Sequence, residues 1–211
     1  MSGSVRIKIC GVTHPDDAAA AVDAGADLIG LNFVPGSSRR LDLRAAEAVA
    51  ERVAGQIERV AVFADATWDE VERVTRRVDL ERIQFHGDES EEEVEMVDLP
   101  VIKAIRGADL EAAAKYPAAL LLLDHPTDGG GRGKPWPWSD AAKLIGQGYD
   151  VILAGGLDPD NVGGALGELG DLLPWGVDVA TGVESPGEES RKDPERIRRF
   201  IEAVRSAEEG E

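Results

Sequence analysis

Short apolar runs dominated by Val, Ile and Leu recur about every 25 residues, with longer amphipathic stretches between them. They cover residues 5–9, 27–33, 57–63, 82–85, 101–105, 119–124, 150–154 and 177–180. Such nearly continuous hydrophobicity suits the strands of a parallel sheet covered on both faces. Between them, residues 16–24, 43–53 and 68–78 place apolar side chains at helical spacing. Thr67 followed by Glu70 makes a capping box, and both Asp158-Pro159 and Asp193-Pro194 put a capping carboxylate before a proline at the first helical position. The last helix is expected to end at about Arg205, with residues 207–211 as a frayed, disordered tail. Eight strands, each followed by a helix, predict an α/β fold: a single (β/α)8 barrel, or TIM barrel, over residues 1–211. A doubly wound open sheet is the main alternative, but it has fewer strands and other phosphate signatures.

In barrels of this kind the chemistry sits at the C-terminal ends of the strands. The polar residues of this chain fall there. Side-chain alternation turns Val5, Ile7 and Ile9 toward the helices and Lys8 and Cys10 toward the barrel axis. By the same rule Asp178, between Val177 and Val179, points inward. The second run leads into Pro35-Gly36-Ser37-Ser38-Arg39-Arg40, the fourth ends Gln84-Phe85-His86-Gly87, and the sixth ends at Asp124 before a glycine-rich loop. Gly155-Gly156 and Thr181-Gly182 follow the last two runs. Glycines there let backbone N–H groups converge on phosphate oxygens, and a helix N-terminus adds a favourable dipole.

Charge narrows the range of ligands. A formal net charge of −18 repels nucleic acid and anionic membranes, while leaving room for a phosphate held locally by backbone donors. The acidic excess, with arginine outnumbering lysine, fits a salt-adapted protein or an ordinary acidic one equally well. The N-terminus lacks the pattern of a signal peptide, and no apolar run approaches the roughly 20 residues of a membrane span. The expected location is the cytoplasm. The single cysteine, Cys10, cannot form an intrachain disulfide and is either a buried apolar residue or a reactive thiol. His14, His86 and His125 have no metal-ligand spacing, so no metal is expected, and His86 reads as a hydrogen-bonded residue of the barrel mouth. Lys8 and Lys103 raise a Schiff-base reading that no lyase motif around them supports. The acidic run over residues 89–95 reads as a solvated helix start.

The ordered set of motifs resembles the phosphoribosylanthranilate isomerase family, which performs an Amadori rearrangement in tryptophan biosynthesis. The resemblance runs along essentially the whole chain. It begins with Lys8-Ile9-Cys10-Gly11-Val12-Thr13 and Gly25-Ala26-Asp27-Leu28-Ile29-Gly30, and continues through Phe33 to Arg39, where Ser38 replaces the family's proline. It resumes at Gln84-Phe85-His86-Gly87, at the stretch from Leu153 to Val162, and at Val177 to Glu184 with Pro186-Gly187 and Lys192-Asp193 beyond. The loop after the sixth run departs from the pattern: Arg132 stands for threonine, Trp136 for phenylalanine and Pro137 for aspartate.

The resemblance implies conversion of N-(5-phosphoribosyl)anthranilate to an open-chain aminoketose phosphate, with neither metal nor organic cofactor. Cys10 is implied as the base and Asp124 as the acid. Cys10 would act as thiolate, assisted by the Lys8 cation, and burial would keep Asp124 protonated. Arg39 is implied to pair with the anthranilate carboxylate, with Arg40 as an adjacent competitor. Asp178 would contact the anthranilate amine or sugar hydroxyls. Gly155, Gly156, Thr181 and Gly182 would hold the phosphate, and Gly130, Gly131 and Gly133 would belong to a flap over it. The expected partner is thus a small phosphosugar, with no nucleic acid and no membrane, and the expected state is a monomer or small homo-oligomer. Two other readings remain: a histidine-pathway or dual-substrate Amadori isomerase, and, further off, a non-catalytic barrel that binds a phospholigand.

Overall fold

The structure, a computed structural model, describes residues 4–126, 136–188 and 190–210. Eight parallel strands close into a barrel in chain order, with β1 hydrogen-bonded to both β2 and β8. They are β1 (Arg6–Ile9), β2 (Leu28–Asn32), β3 (Glu58–Phe63), β4 (Arg82–Phe85), β5 (Val101–Arg106), β6 (Leu120–Asp124), β7 (Val151–Leu153) and β8 (Gly176–Val179). The alternating helices are α1 (Pro15–Ala24), α2 (Leu43–Arg52), α3 (Trp68–Thr75), α4 (Glu91–Glu95), α5 (Leu110–Ala114), α6 (Ala142–Ile145), α7 (Val162–Gly167) and α8 (Pro194–Glu209). The fold is therefore the closed barrel and not an open sheet.

Strand alternation divides the apolar side chains into two layers. Leu28, Val60, Ile102, Leu122, Ile152 and their neighbours fill the barrel. Ile7, Ile9, Ile29, Leu121, Leu123 and Val177 join the larger layer between strands and helices. The register continues this inner face to Lys8, which pairs with Leu28 and Asp178, and to Gln84, which pairs with Ile102, while Asp124 follows Leu122 by two positions on β6. At the N-terminal end the ring of Trp175 lies 4.8 Å from the Arg6 guanidinium and 5.4 Å from that of Arg82. Glu58 pairs with both arginines, at 2.7 and 2.6 Å, closing the end of the barrel remote from the strand termini where chemistry belongs.

Helix starts follow local chemistry, with one exception. Thr67 and Glu70 form the expected capping box, Ser90 and Glu93 form a second, and Asp193 caps α8 ahead of Pro194. Asp158, however, caps no helix. Its carboxylate accepts the N–H groups of Asp160 and Asn161, at 2.8 and 3.0 Å, and this turn delays α7 until Val162. At the other end, α8 runs past Arg205 to Glu209. Glu208 accepts the backbone N–H of Val5 and pairs with Arg205, so the helix end is pinned beneath β1 rather than frayed.

The acidic run is also less uniform than a solvated face. Glu89 is buried, accepts the N–H groups of Asp65 and Gly87, and pairs with the buried Lys103 at 3.2 Å. The lysine is thereby committed to holding the loop after β4. Among the described residues, no helix is long and apolar enough to cross a membrane.

Candidate active site

A cavity of ≈ 720 Å³ opens at the C-terminal end of the strands. Cys10, Arg39, His86, Asp124 and Asp178 line it, together with Gly155, Gly156, Thr181 and Gly182. These residues come from strands all around the ring, and barrel closure brings them together.

Cys10 directly follows β1, where its N–H donates to the Val179 carbonyl of β8 at 2.8 Å. The same pairing sets Lys8 opposite Asp178, and the Lys8 ammonium donates to Asp178 Oδ1 at 2.7 Å. A Cβ at Gly30 would stand 2.8 Å from Cys10 Sγ and 3.2 Å from Lys8 Nζ, so the close approach of thiol and ammonium needs a glycine on β2. Burial by itself would lower the Lys8 pKa. The charges of Asp178 and Cys10 outweigh it and push it up to about 12. Removing the Asp178 carboxylate would strand a buried ammonium, at a cost of about 3–5 kcal/mol.

The Cys10 thiol is pushed above its ordinary value, first by burial and then by the Asp178 charge; Lys8 and Lys192 oppose the shift without overcoming it. Lys8 thus favours the thiolate in the expected direction, but burial and the Asp178 charge outweigh it. A raised pKa makes the thiolate, once formed, a stronger base. Inactivation by iodoacetamide, clean in a chain with one cysteine, should therefore rise with pH through and beyond the free-thiol midpoint of about 8.5. A plateau reached below that pH would show that the cations prevail over burial.

Arg39 lies against the loop after β8. Its Nε and Nη2 donate to the two oxygens of Glu184, at 2.5 and 3.1 Å, and Nη2 reaches Thr181 Oγ1 at 2.9 Å. Arg40 is exposed and does not line the cavity. Lys192, fully buried, donates to the Ala180 carbonyl at 2.9 Å and to Glu184 Oε1 at 3.2 Å. Burial raises the Glu184 pKa, but Arg39 and Lys192 together hold the carboxyl below the usual range. Glu184 and Lys192 entered the sequence reading only as members of motifs. An acid and a lysine flanking the strand-eight loop were the available signal.

Asp124 ends β6 with both oxygens engaged. Oδ1 accepts the N–H of His125 at 2.8 Å, and Oδ2 lies 3.1 Å from His86 Nε2. Gly155 packs against this carboxylate with φ +79°. A Cβ there would come within 3.0 Å of Asp124 Oδ1 and 2.9 Å of the His125 nitrogen. The indoles of Trp136 and Trp138 both donate to the Ala154 carbonyl, at 2.9 and 3.2 Å, and so fasten the end of β7 beside Asp124. The tryptophan that replaces the family's phenylalanine thus gains a hydrogen bond that phenylalanine cannot make.

The loops after β7 and β8 are anchored from behind. Asn161 Nδ2 donates to the Gly156 carbonyl at 2.9 Å, while Arg196 Nε and Nη2 of α8 donate to the Gly182 carbonyl at 3.0 and 2.9 Å. Gly182 sits in a 3-10 turn over Thr181–Val183. Gly130, Gly131 and Gly133 lie outside the described residues. Among the described residues, no group of three or more His, Cys, Asp or Glu side chains could hold a metal ion.

Residues 7–203 match the family described as N-(5'-phosphoribosyl)anthranilate (PRA) isomerase. The isomerase of Myxococcus xanthus is 43% identical over 212 residues, covering 96% of this chain and 97% of that protein. That of Chromohalobacter salexigens is 43% identical over 206 residues, covering 94% and 93%. The crystal structure of phosphoribosyl anthranilate isomerase from Thermus thermophilus superposes with a TM-score of 0.85 at 37% identity, covering 96% of this chain and 99% of that one. A structure of the isomerase in complex with reduced 1-(o-carboxyphenylamino)-1-deoxyribulose 5-phosphate gives 0.84 at 31% identity, with the same coverage. The barrel, the ordered motifs and these likenesses along nearly the full chain agree, and the chain belongs to the N-(5'-phosphoribosyl)anthranilate isomerase family.

Proposed function

We propose that the chain converts N-(5'-phosphoribosyl)anthranilate to the 1-(2-carboxyphenylamino)-1-deoxyribulose phosphate of tryptophan biosynthesis, with Asp124 as acid and Cys10 as base. The reaction follows from family membership. The division of labour rests on one observation: a thiol after β1 and a carboxyl ending β6 line the same cavity. Asp124 would give its proton to the ring oxygen as the C1–O bond breaks, and the nitrogen lone pair would form the iminium. Cys10 thiolate would then take the C2 proton, the electron pair would move toward the iminium nitrogen, and the resulting enolamine would become the ketone by gaining a proton at C1 and losing that of the C2 hydroxyl. The substrate's own imine is the electron sink, so this scheme calls on no cofactor.

Arg39, held flat by Glu184, would face the anthranilate carboxylate, while Gly155, Gly156, Thr181 and Gly182 would take the phosphate. Asp178, tied to Lys8, would accept from a sugar hydroxyl or the amine. Cysteine where the histidine-pathway barrels carry an aspartate base supports the tryptophan-pathway substrate. We place the enzyme in the cytoplasm as a monomer or small homo-oligomer. A Thermotoga maritima relative is described as a dimer from which monomers were generated.

The direct test follows the loss of substrate fluorescence on adding the purified protein in the presence of a chelator. Turnover under those conditions is expected, and none would return the chain to the ligand-binding reading. Arg39→Ala should raise KM about 10- to 100-fold through loss of a charge-assisted pair, with a smaller change in kcat. Glu184→Gln should shift KM in the same direction but less. Steady-state kinetics on both variants decide it, and an unchanged KM in Arg39→Ala would place the carboxylate elsewhere.

A further inference from the structure

Asp124 is the last member of a chain of side chains that begins inside the barrel. Gln84, on β4, is 1% exposed, and its Nε2 lies 3.0 Å from His86 Nδ1. His86 Nε2 lies 3.1 Å from Asp124 Oδ2. With the amide nitrogen toward the ring, Nδ1 must be the acceptor, so the ring proton sits on Nε2 and points at the carboxylate. This orientation leaves Gln84 Oε1 buried without a hydrogen-bond partner, the one such side-chain atom found among the described residues. Turning the amide over would satisfy that oxygen with an Nδ1–H but leave the amide nitrogen buried without a partner in its place. It would also move the ring proton off Nε2 and set two lone pairs against each other at Asp124. A buried amide atom without a partner is costly in either orientation, and this one lets His86 Nε2–H donate to the carboxylate.

We infer that Gln84 and His86 are positioning residues for Asp124: Gln84 fixes the tautomer of His86, whose Nε2–H holds the carboxylate that ring opening leaves behind. This rests on the reading of Asp124 as the acid. When Asp124 gives up its proton, the charge that develops meets two donors already in place, His86 Nε2–H on Oδ2 and the His125 N–H on Oδ1. Donors placed in advance lower the barrier without reorganisation and keep the carboxyl from rotating off the substrate. Gly155 closes the remaining side, and Arg106 is paired with Asp124 in the β5–β6 register. His86 lines the cavity and is partly exposed, yet both of its nitrogens are engaged by protein groups, which suits a holder better than a substrate ligand.

The test combines a spectroscopic and a kinetic measurement. In the ligand-free enzyme at neutral pH, ¹⁵N shifts should place the His86 proton on Nε2; a proton on Nδ1 overturns the inference without reference to turnover. Gln84→Leu removes the orphaned oxygen together with the tautomer lock. It should melt no lower than the wild type yet lose kcat about 10- to 100-fold, with KM within about two-fold. His86→Ala should lose kcat at least as much, again with KM held. Unchanged kcat in both variants, or a rise in KM with kcat intact, overturns the proposal, the latter by making the pair a substrate contact. Should Gln84→Leu fail to fold, the ¹⁵N measurement and His86→Ala still decide. Failure of the acid reading itself is separable, because it would show as an active Asp124→Asn enzyme whatever the tautomer.

Discussion

Cys10→Ala is expected to lower kcat about 10²- to 10⁴-fold while affinity for a reduced product analogue stays within about two-fold. A base acts on the C2 proton only as the transition state forms, so its loss shows in kcat and hardly in binding. The fold should survive the change. Lys8 keeps its partner Asp178, and the backbone of residue 10 keeps its bond to Val179. The thiol itself lies at the cavity wall, 9% exposed, and alanine leaves a smaller side chain there without a new clash. Because burial and Asp178 push its pKa up, wild-type kcat/KM should climb on the alkaline side of neutrality as the free enzyme's thiolate forms. That climb should be missing from any residual activity of the alanine variant. Near-wild-type turnover by Cys10→Ala would dismiss Cys10 as the base.

Asp124→Asn should produce a loss of the same order, about 10²- to 10⁴-fold in kcat, for a different reason. The amide is isosteric and its oxygen can still accept the His125 N–H, so the loop after β6 should hold its place, although the amide nitrogen then faces His86 Nε2–H and that contact is lost. What it cannot do is deliver a proton to the ring oxygen, and an unprotonated furanose oxygen is a poor leaving group. Kinetics, analogue binding and thermal melting read together separate this from misfolding: kcat should collapse while melting and binding stay close to wild type. Activity within about ten-fold of wild type would remove Asp124 from the acid's role.

The positions of these two residues were legible from local pattern. Alternation along residues 5–10 put Lys8 and Cys10 on the axis side, and the run 119–124 ended on an aspartate. The Thr67 and Asp193 caps were likewise readable, because a cap involves groups within three or four residues of one another. Where a local rule failed, a competing local bond won: Asp158 satisfied the N–H groups of its own turn before a helix could use it.

The electrostatic environment was not legible, because its partners are distant in sequence. Arg39 meets Glu184 across 145 positions, Lys8 meets Asp178 across 170, and Val5 meets Glu208 across 203. All three contacts exist because β8 returns to pair with β1, and no periodicity encodes which charge will then face which. The burial of Glu89 with Lys103 escaped for the same reason, since a carboxylate in an acidic run carries no mark of the lysine that will cover it. The sequence by itself determined the strands, their inward faces and the residues at their ends, through side-chain alternation and short-range caps. Tertiary structure alone decided that Lys8 pairs with Asp178, that burial and Asp178 push the thiol's pKa up, and that Gln84 and His86 stand behind Asp124. Those outcomes depend on distances and desolvation, and neither exists until the barrel closes.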